Sequence, residues 1–230
     1  MKFECGPKWD TRIINIKPKG KIGILMSGGG DSYILYEILK SIPNCPPILI
    51  FNIKSSGTAG EGWDKPETVK LLTDRDDIIV VDKFLKHTIN DSPDFLSWDK
   101  VLILTNLWIV KEYNLDILYN GTNMNPPVEF FPEFTSEEFG DAPLPHWSIP
   151  EYTKVICPFL HFYKYHIIDL GIRNNIDISQ THSCNDLPTD EGHCGKCRSC
   201  LEKQWAYKQL ENKEEIVDIN IENLMENMYE

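Results

Sequence analysis

The sequence predicts an α/β fold in which a mostly parallel sheet carries helices on both faces. Short apolar runs typical of buried strands alternate along the chain with longer stretches of helical periodicity. With 230 residues, the chain is long enough to bury a sizeable core without disulfides. Four cysteines crowded near the C-terminal end predict a small metal-bound knuckle beside this sheet.

The predicted elements follow in chain order. An extra strand or arm over 12–16 precedes the core, and prolines at 43, 46 and 47 end the first core helix. Pro66 lies where the first turn of the second helix is expected. The apolar runs typical of core strands are 22–26, 48–53, 78–81, 115–119 and 155–158. The predicted helices are 32–40, 66–72, 99–113, 161–174 and one that follows the cysteines from residue 201.

Composition and charge exclude several classes of protein. Hydrophobic residues make up 41% and charged residues 25% of the chain. These values are ordinary for a globular protein and exclude collagen-like, mucin-like and globally disordered chains. The net charge of −12 disfavours a nucleic-acid partner and an anionic membrane surface. No apolar run approaches the length of a membrane span, and the first residues lack a signal-peptide pattern, so we expect a cytoplasmic protein with no membrane partner. Acidic residues dominate 213–230, which we expect to be a solvated tail or a weak helix.

A glycine-rich loop is the sharpest local feature. The sequence Ser-Gly-Gly-Gly-Asp-Ser at 27–32 lies between a predicted strand and a predicted helix. Glycines permit close approach of the backbone to an anion, and a helix N-terminus presents free N–H groups with a partial positive charge. The pattern therefore indicates a pyrophosphate site, in which Asp31 is a magnesium ligand or the N-cap of the helix. A purely structural strand-to-helix turn is the alternative.

The second feature is a cysteine cluster with metal-ligand spacing. Four thiolates complete a tetrahedral zinc shell, and the two-residue spacings are typical of structural zinc knuckles. The predicted ligands are Cys184, Cys194, Cys197 and Cys200. An iron–sulfur cluster or a redox dithiol is the alternative. We expect His182 and His193 to be hydrogen-bonded or exposed rather than ligands, and the charges of Lys196, Arg198 and Lys203 to offset the thiolates.

These motifs together resemble a known family. The loop motif S-G-G-x-D-S resembles the signature of the ATP pyrophosphatase (PP-loop) superfamily, and a later Cys followed by C-G-x-C-x-x-C resembles 7-cyano-7-deazaguanine synthases. Similarity continues through 158–164, 167–171 and 181–184, so that it spans most of residues 21–210. The resemblance implies a Rossmann-like sheet of the adenine nucleotide alpha hydrolase type. It divides the chain into a PP-loop domain, 1–180, and a zinc-binding segment with an acidic tail, 181–230.

The resemblance also implies an activity. ATP would adenylate the carboxylate of 7-carboxy-7-deazaguanine or a relative, ammonia would give the amide, and a second ATP would lead to the nitrile. ATP, magnesium and zinc are the implied cofactors, and a homodimer is common in the family. The implied catalytic residues are Asp31, Ser32 and Lys164, although Lys164 also fits a solvated position in the first turn of a helix. The implied cofactor-binding residues are Met26, Ser27, Gly28, Gly29, Gly30, Asp31, Ser32, Gly121 and Asn123.

The chain departs from the family where the substrate is recognised. Trp98-Asp99 replaces an Arg-Asn pair, the stretch 121–139 lacks the family's arginine, and Lys54-Ser55-Ser56 replaces a Gln, Arg and His set. Candidates for a changed acceptor pocket, or simply for loop packing and exposed charge, are Trp98, Asp99, Glu129, Phe131 and Glu133. The sequence therefore does not decide which acid is the acceptor. It also does not decide whether the final product is the amide or the nitrile. Two other functions are a PP-loop thiolase or amidotransferase acting on RNA, and a nucleotide-binding partner subunit without activity.

Overall fold

The computed structural model describes residues 1–54, 65–83, 98–127, 154–186 and 192–211. The strands within these ranges are β1 (Lys2–Cys5), β2 (Arg12–Asn15), β3 (Ile22–Leu25), β4 (Ile48–Ile53), β5 (Ile79–Val81), β6 (Ile117–Asn120) and β7 (Val155–Ile156). The helices are α1 (Gly30–Ser41), α2 (Pro66–Thr73), α3 (Trp98–Glu112), α4 (Lys164–Arg173) and α5 (Arg198–Glu211). None of these helices is long and apolar enough to cross a membrane.

A five-stranded parallel sheet forms the centre of the fold. Its strand order is β5-β4-β3-β6-β7, and every neighbouring pair is parallel. The chain moves outward from β3 to β5 and then returns to β6 on the other side of β3. The carboxyl ends of β3 and β6 therefore flank the point where the strand order reverses, which is where open α/β sheets bind ligands.

The core lies on both faces of this sheet. All four residues of β3 are buried, and successive side chains of a strand point to opposite faces. On one face, Ile24 packs in a cluster with residues of α1, α2 and α4, such as Leu35 and Val69. On the other face, Leu25 packs with residues of α3, such as Leu102. The predicted α/β class, with helices on both faces, is confirmed.

The N-terminal arm is a hairpin rather than one strand. Sequence analysis predicted only the strand at 12–16, but β1 pairs with β2 in antiparallel register. Buried Phe3 and Cys5 alternate with exposed Lys2 and Glu4, and this alternation is the signal that predicts a half-buried strand. The hairpin is tied to α4 because Asp169 accepts a 2.7 Å hydrogen bond from the backbone N–H of Gly6.

The helix boundaries differ from the predicted ones by a few residues. Helix α4 begins at Lys164 instead of 161, because the preceding residues form a turn closed by the N–H of Phe162 on the carbonyl of Phe159 at 2.8 Å. Helix α5 begins at Arg198 instead of 201 and packs on α4 through an apolar cluster that includes Tyr165 and Trp205. Helix α5 is therefore packed on the part of the chain that carries the parallel sheet. The division at residue 180 stays a prediction.

Candidate nucleotide and metal site

The glycine loop lies where β3 ends and α1 begins. Met26 is 1% exposed; its N–H donates to the Phe51 carbonyl at 2.8 Å, and its carbonyl accepts the Asn52 side-chain amide at 2.8 Å. Gly28 has a φ of +81°, a conformation that favours glycine over residues with a Cβ. The start of the loop is therefore anchored on β4, and the backbone then turns sharply into α1.

Serine side chains close the loop on itself. The Ser27 hydroxyl accepts the N–H of Gly29 at 3.3 Å, and the Ser32 hydroxyl accepts the N–H of Ser27 at 3.3 Å. The Ser32 hydroxyl also donates to the carbonyl of Gly29 at 3.1 Å. Gly29 is the N-cap of α1, so the prediction in which Asp31 is the N-cap is wrong. Asp31 lies in the first turn of α1.

Gly121 brings the end of β6 against the start of α1. A Cβ on Gly121 would lie 3.0 Å from the backbone nitrogen of Ser32 and 3.2 Å from the carbonyl carbon of Asp31. Contacts this short require the backbone of α1 to move, so glycine permits the approach. Asn123, two residues on, donates its side-chain amide to Glu202 at 2.8 Å. The structure thus places Gly121 at the loop and directs the Asn123 amide to α5.

Lys164 is a buried cation at the same site. Its side chain is 12% exposed, pairs with the Asp31 carboxylate and lies 3.8 Å from Glu202 Oε2. Burial alone would lower the pKa of Lys164, but the charges of Asp31 and Glu202 outweigh burial and raise it. The alternative of a solvated lysine is therefore wrong. The ion pair joins the first turns of α1 and α4.

The four predicted metal ligands come together. Their Sγ atoms all lie within 4.8 Å of one another, with Cys194–Cys200 at 4.0 Å and Cys184–Cys197 at 3.9 Å. A tetrahedral zinc with Zn–S bonds of about 2.3 Å separates its sulfurs by about 3.8 Å. A four-iron cluster binds each thiolate to a different iron and spreads the sulfurs further apart. The spacing therefore fits one metal ion held by four thiolates, and zinc stays the predicted ion.

The histidines beside this cluster stack on each other. The rings of His182 and His193 have centroids 5.1 Å apart, and burial, with help from Lys203 and His182, lowers the pKa of His193 to about 4. In the part of the chain that the structure describes, the group suited to a metal consists of the four cysteines without either histidine. This agrees with the expectation that neither histidine is a ligand.

The cysteine segment is bound directly to the glycine loop. The N–H of His182 donates to the Gly28 carbonyl at 2.9 Å, and the N–H of Gly30 donates to the Ser183 hydroxyl at 3.4 Å. Lys65 donates to the carbonyls of His182 and Cys184, both at 3.0 Å. Sequence reasoning missed Lys65, because a lone lysine before a helix carries no motif. These bonds connect metal binding to the shape of the loop.

A small cleft opens between the loop, α4 and α5. Its polar lining is Gly30, Asp31, Lys164, Ser183, Ser199 and Lys203, and its apolar lining is Ile34, Ile168 and Ile178. Lys203 was predicted to offset thiolate charge, and the structure places it in this cleft. Of the other two basic residues predicted for that role, Lys196 is exposed and Arg198 donates to Asn125 at 2.7 Å.

The predicted acceptor pocket falls mostly beyond the described ranges. Glu129, Phe131 and Glu133 lie outside them, as do the side chains of Trp98 and Asp99, whose backbone begins α3. Acceptor recognition at these residues stays a prediction.

Comparison with known proteins supports the resemblance to the family in the C-terminal part of the chain. Residues 142–211 match the family described as queuosine biosynthesis protein QueC. The 7-cyano-7-deazaguanine synthase of Acinetobacter baylyi is 50% identical over 48 residues, which cover 20% of this chain and 21% of that protein. That of Solidesulfovibrio magneticus is 36% identical over 56 residues, which cover 24% of each. The resemblance inferred from the sequence is confirmed over this region.

The extent of the match is limited. The chain aligns with about a quarter or less of the length of these relatives, and the matched range of the family model begins after the glycine loop. Two solved structures share 15% identity: U34-tRNA thiolase NcsA from Methanococcus maripaludis with its [4Fe-4S] cluster, and NMN synthetase from Francisella tularensis. The first covers 88% of this chain and 76% of its own at a TM-score of 0.45. The second covers 88% and 90% at 0.38, and at these TM-scores neither bears on function.

Proposed function

We propose that this protein is an ATP-dependent ligase that activates the carboxylate of 7-carboxy-7-deazaguanine, or of a related acid, for attack by ammonia. The observation that carries the proposal is the contact between two parts of the chain. The segment leading into Cys184, which lies in the region similar to 7-cyano-7-deazaguanine synthases, hydrogen-bonds the glycine loop at Gly28 and Gly30. One site thus combines a phosphate-binding geometry with residues similar to a nitrile-forming enzyme.

The electrostatics of the site support binding of a polyphosphate. The first turn of α1 offers N–H groups and the positive end of a helix dipole. Lys164, whose side chain is 12% exposed, adds a cation on one side, and the buried Lys203 adds another from α5. Positive groups fixed in advance stabilise the charge that passes to pyrophosphate as it leaves.

The proposed reaction has two adenylation steps. A carboxylate oxygen attacks the α-phosphorus of ATP, the bond to the β-phosphate breaks, and pyrophosphate leaves. Ammonia then attacks the acyl carbon, AMP departs, and loss of a proton gives the amide. The amide oxygen attacks the α-phosphorus of a second ATP, the bond to the β-phosphate breaks, pyrophosphate leaves, and loss of one N–H proton gives an O-adenylated imidate. Departure of AMP with loss of the second N–H proton leaves the nitrile. The protein holds the reacting oxygen and phosphorus in line.

The chain's own residues take distinct roles in this proposal. Ser27 to Ser32 bind the phosphates through N–H groups and hydroxyls, and Lys164 orients Asp31 while its ammonium offsets charge on the transferred group. Asp31 is the candidate magnesium ligand, and magnesium, when bound, neutralises part of the charge on the triphosphate. Zinc bound by the four cysteines is structural, because protein fills all four positions.

Acceptor-dependent AMP formation tests the proposal. We expect the purified protein with ATP, magnesium and ammonium to release AMP only when 7-carboxy-7-deazaguanine is added. Asp31→Asn should abolish this release while the protein stays folded. Glu37→Gln is the matched control, because Glu37 lies on the same helix and pairs with surface Lys40 away from the cleft. Full turnover by Asp31→Asn would remove the role given to Asp31, and AMP release independent of the acid would contradict the ligase.

A nucleotide-binding partner subunit is the second candidate. The loss of the family's arginine from the stretch 121–139 favours it, because that arginine belongs to the substrate loop. ATP binding without pyrophosphate release across a panel of carboxylic acids would support this function over the ligase. The RNA-modifying alternative is disfavoured by the net charge of −12, and tight, salt-sensitive tRNA binding would revive it.

A further inference from the structure

Lys203 is a buried cation in the cleft that forms no ion pair with the residues that the structure describes. It lies on α5, three residues after Cys200, and is 7% exposed. It lines the cleft together with Gly30, Asp31 and Lys164. Over the described part of the chain, Lys203 makes no hydrogen bond or ion pair, whereas Lys164 is paired with Asp31.

This arrangement is unfavourable for folding alone. Removing an ammonium from water costs several kcal/mol unless a counter-charge compensates it. A second cation, Lys164, shares the cleft and adds repulsion. The acidic groups whose charges act on Lys203 are Asp31, which already pairs with Lys164, and Cys200. A site that keeps a buried cation beside the N-terminus of a helix is prepared for an anion.

Two roles fit a lone lysine in this position. As a counter-charge, Lys203 would serve only the four thiolates behind it. As a ligand-binding group, it would complete a ring of donors around the cleft with the N-terminus of α1 and the Ser183 and Ser199 hydroxyls. Its place in the lining of the cleft, beside the glycine loop, favours the second role.

We propose that Lys203 binds the pyrophosphate portion of a nucleoside triphosphate at the glycine loop, and that the four-cysteine site holds it in place. The inference rests on the proposed use of ATP and adds a residue and a purpose for the metal site. Lys203 lies one helical turn beyond Cys200, so metal binding fixes the start of α5 and with it the position of the ammonium. The zinc knuckle then serves ATP binding as well as stability.

Titration calorimetry with inorganic pyrophosphate tests this role directly. The parent protein is compared with Lys203→Met, which removes the charge but keeps an unbranched side chain, and with Lys208→Met, which removes an exposed lysine on the same helix. We expect Lys203→Met to weaken pyrophosphate binding about 10- to 100-fold, the usual value of a charge-assisted hydrogen bond. Lys208→Met should bind as the parent does.

Zinc content and melting temperature separate the two roles. Because Met removes an unpaired buried charge, Lys203→Met should keep its zinc and melt no lower than the parent. Pyrophosphate binding by Lys203→Met within two-fold of the parent would overturn the proposal. Loss of zinc with a lower melting temperature would also overturn it, since Lys203 would then be a counter-charge to the thiolates.

The same measurements distinguish failure of this inference from failure of the ligase. A parent that binds no pyrophosphate would remove both the anion role of Lys203 and the nucleotide site. A parent that binds pyrophosphate through Lys203 but releases no acceptor-dependent AMP would contradict the ligase alone.

Discussion

Replacement of Lys164 by methionine should destabilise the protein, because it leaves the carboxylates of Asp31 and Glu202 without the cation that lies between them. Lys164 is 12% exposed and lies between the Asp31 and Glu202 side chains, which are 23% and 13% exposed. The raised pKa of Lys164, in which the two acids outweigh the effect of burial, shows that they stabilise its charged form. Methionine fills similar volume, so the effect reports the charge rather than a cavity.

The magnitude follows from the distances. At 3.8 Å, the Lys164–Glu202 attraction is about 4 kcal/mol before desolvation, taking an effective dielectric constant of about 20. Because both partners lose water when they pair, the net cost of breaking the pair is lower than the sum of such attractions. We take this net cost as about 3 kcal/mol. For a domain of this size, that loss lowers the melting temperature by roughly 6 to 12 °C.

Guanidinium unfolding followed by circular dichroism measures this loss, with the metal retained in the buffer. Lys40→Met is the matched control, because Lys40 on α1 pairs with Glu37 at 2.8 Å but its side chain is 47% exposed. We expect a change below about 1 kcal/mol for that surface pair. The double variant Lys164→Met/Asp31→Asn should lose about 2 kcal/mol less than the two single losses added together, because the variants remove the same contact. Equal stabilities for Lys164→Met and Lys40→Met would refute the buried ion pair.

Three further predictions follow from the same site and its supports. Gly121→Ala should weaken pyrophosphate binding at least about ten-fold, because the added Cβ would lie 3.0 Å from the Ser32 nitrogen and displace the backbone of Ser32. Calorimetry measures this affinity, and an unchanged affinity would show that β6 does not position the loop. Cys197→Ser should lose the bound metal and much of the cooperative unfolding transition, measured by metal analysis and melting, and a variant that melts as the parent does would contradict a structural metal. The pKa of His166 is lowered from 6.5, chiefly by burial, so the unfolded state takes up a proton first and stability should fall as the pH drops below 6.5. His166→Gln should make this dependence shallower in unfolding experiments without abolishing it, because the lowered pKa of His193 acts in the same direction. A slope equal to that of the parent would contradict the assignment.

Local patterns predicted the sheet because its strands are short, apolar and bounded by turns. The predicted strand 48–53 coincides with β4, and the glycine loop lies between β3 and α1 as expected. The sequence predicted that the strands are mostly parallel. It did not predict their order, because no local pattern indicates that β6 lies beside β3. Gly121 shows the consequence, because its contact with Ser32 exists only through this pairing.

The partners within the site were harder to predict. Cysteine spacing was sufficient to group the four sulfurs, because metal knuckles are local in sequence. The pairing of Asp31 with Lys164 joins residues 133 positions apart, and Lys65 bonds to carbonyls 117 and 119 residues away. Such long-range contacts depend on how α2, α4 and α5 pack, which no motif encodes.

Mass spectrometry of the reaction products tests the central proposal most directly. The purified protein is incubated with ATP, magnesium, ammonium and 7-carboxy-7-deazaguanine, and the products are compared with a reaction without ATP. We predict the nitrile, or the amide that precedes it, together with AMP. The unchanged acid after incubation with a protein shown to bind ATP would contradict the proposal that this site activates 7-carboxy-7-deazaguanine.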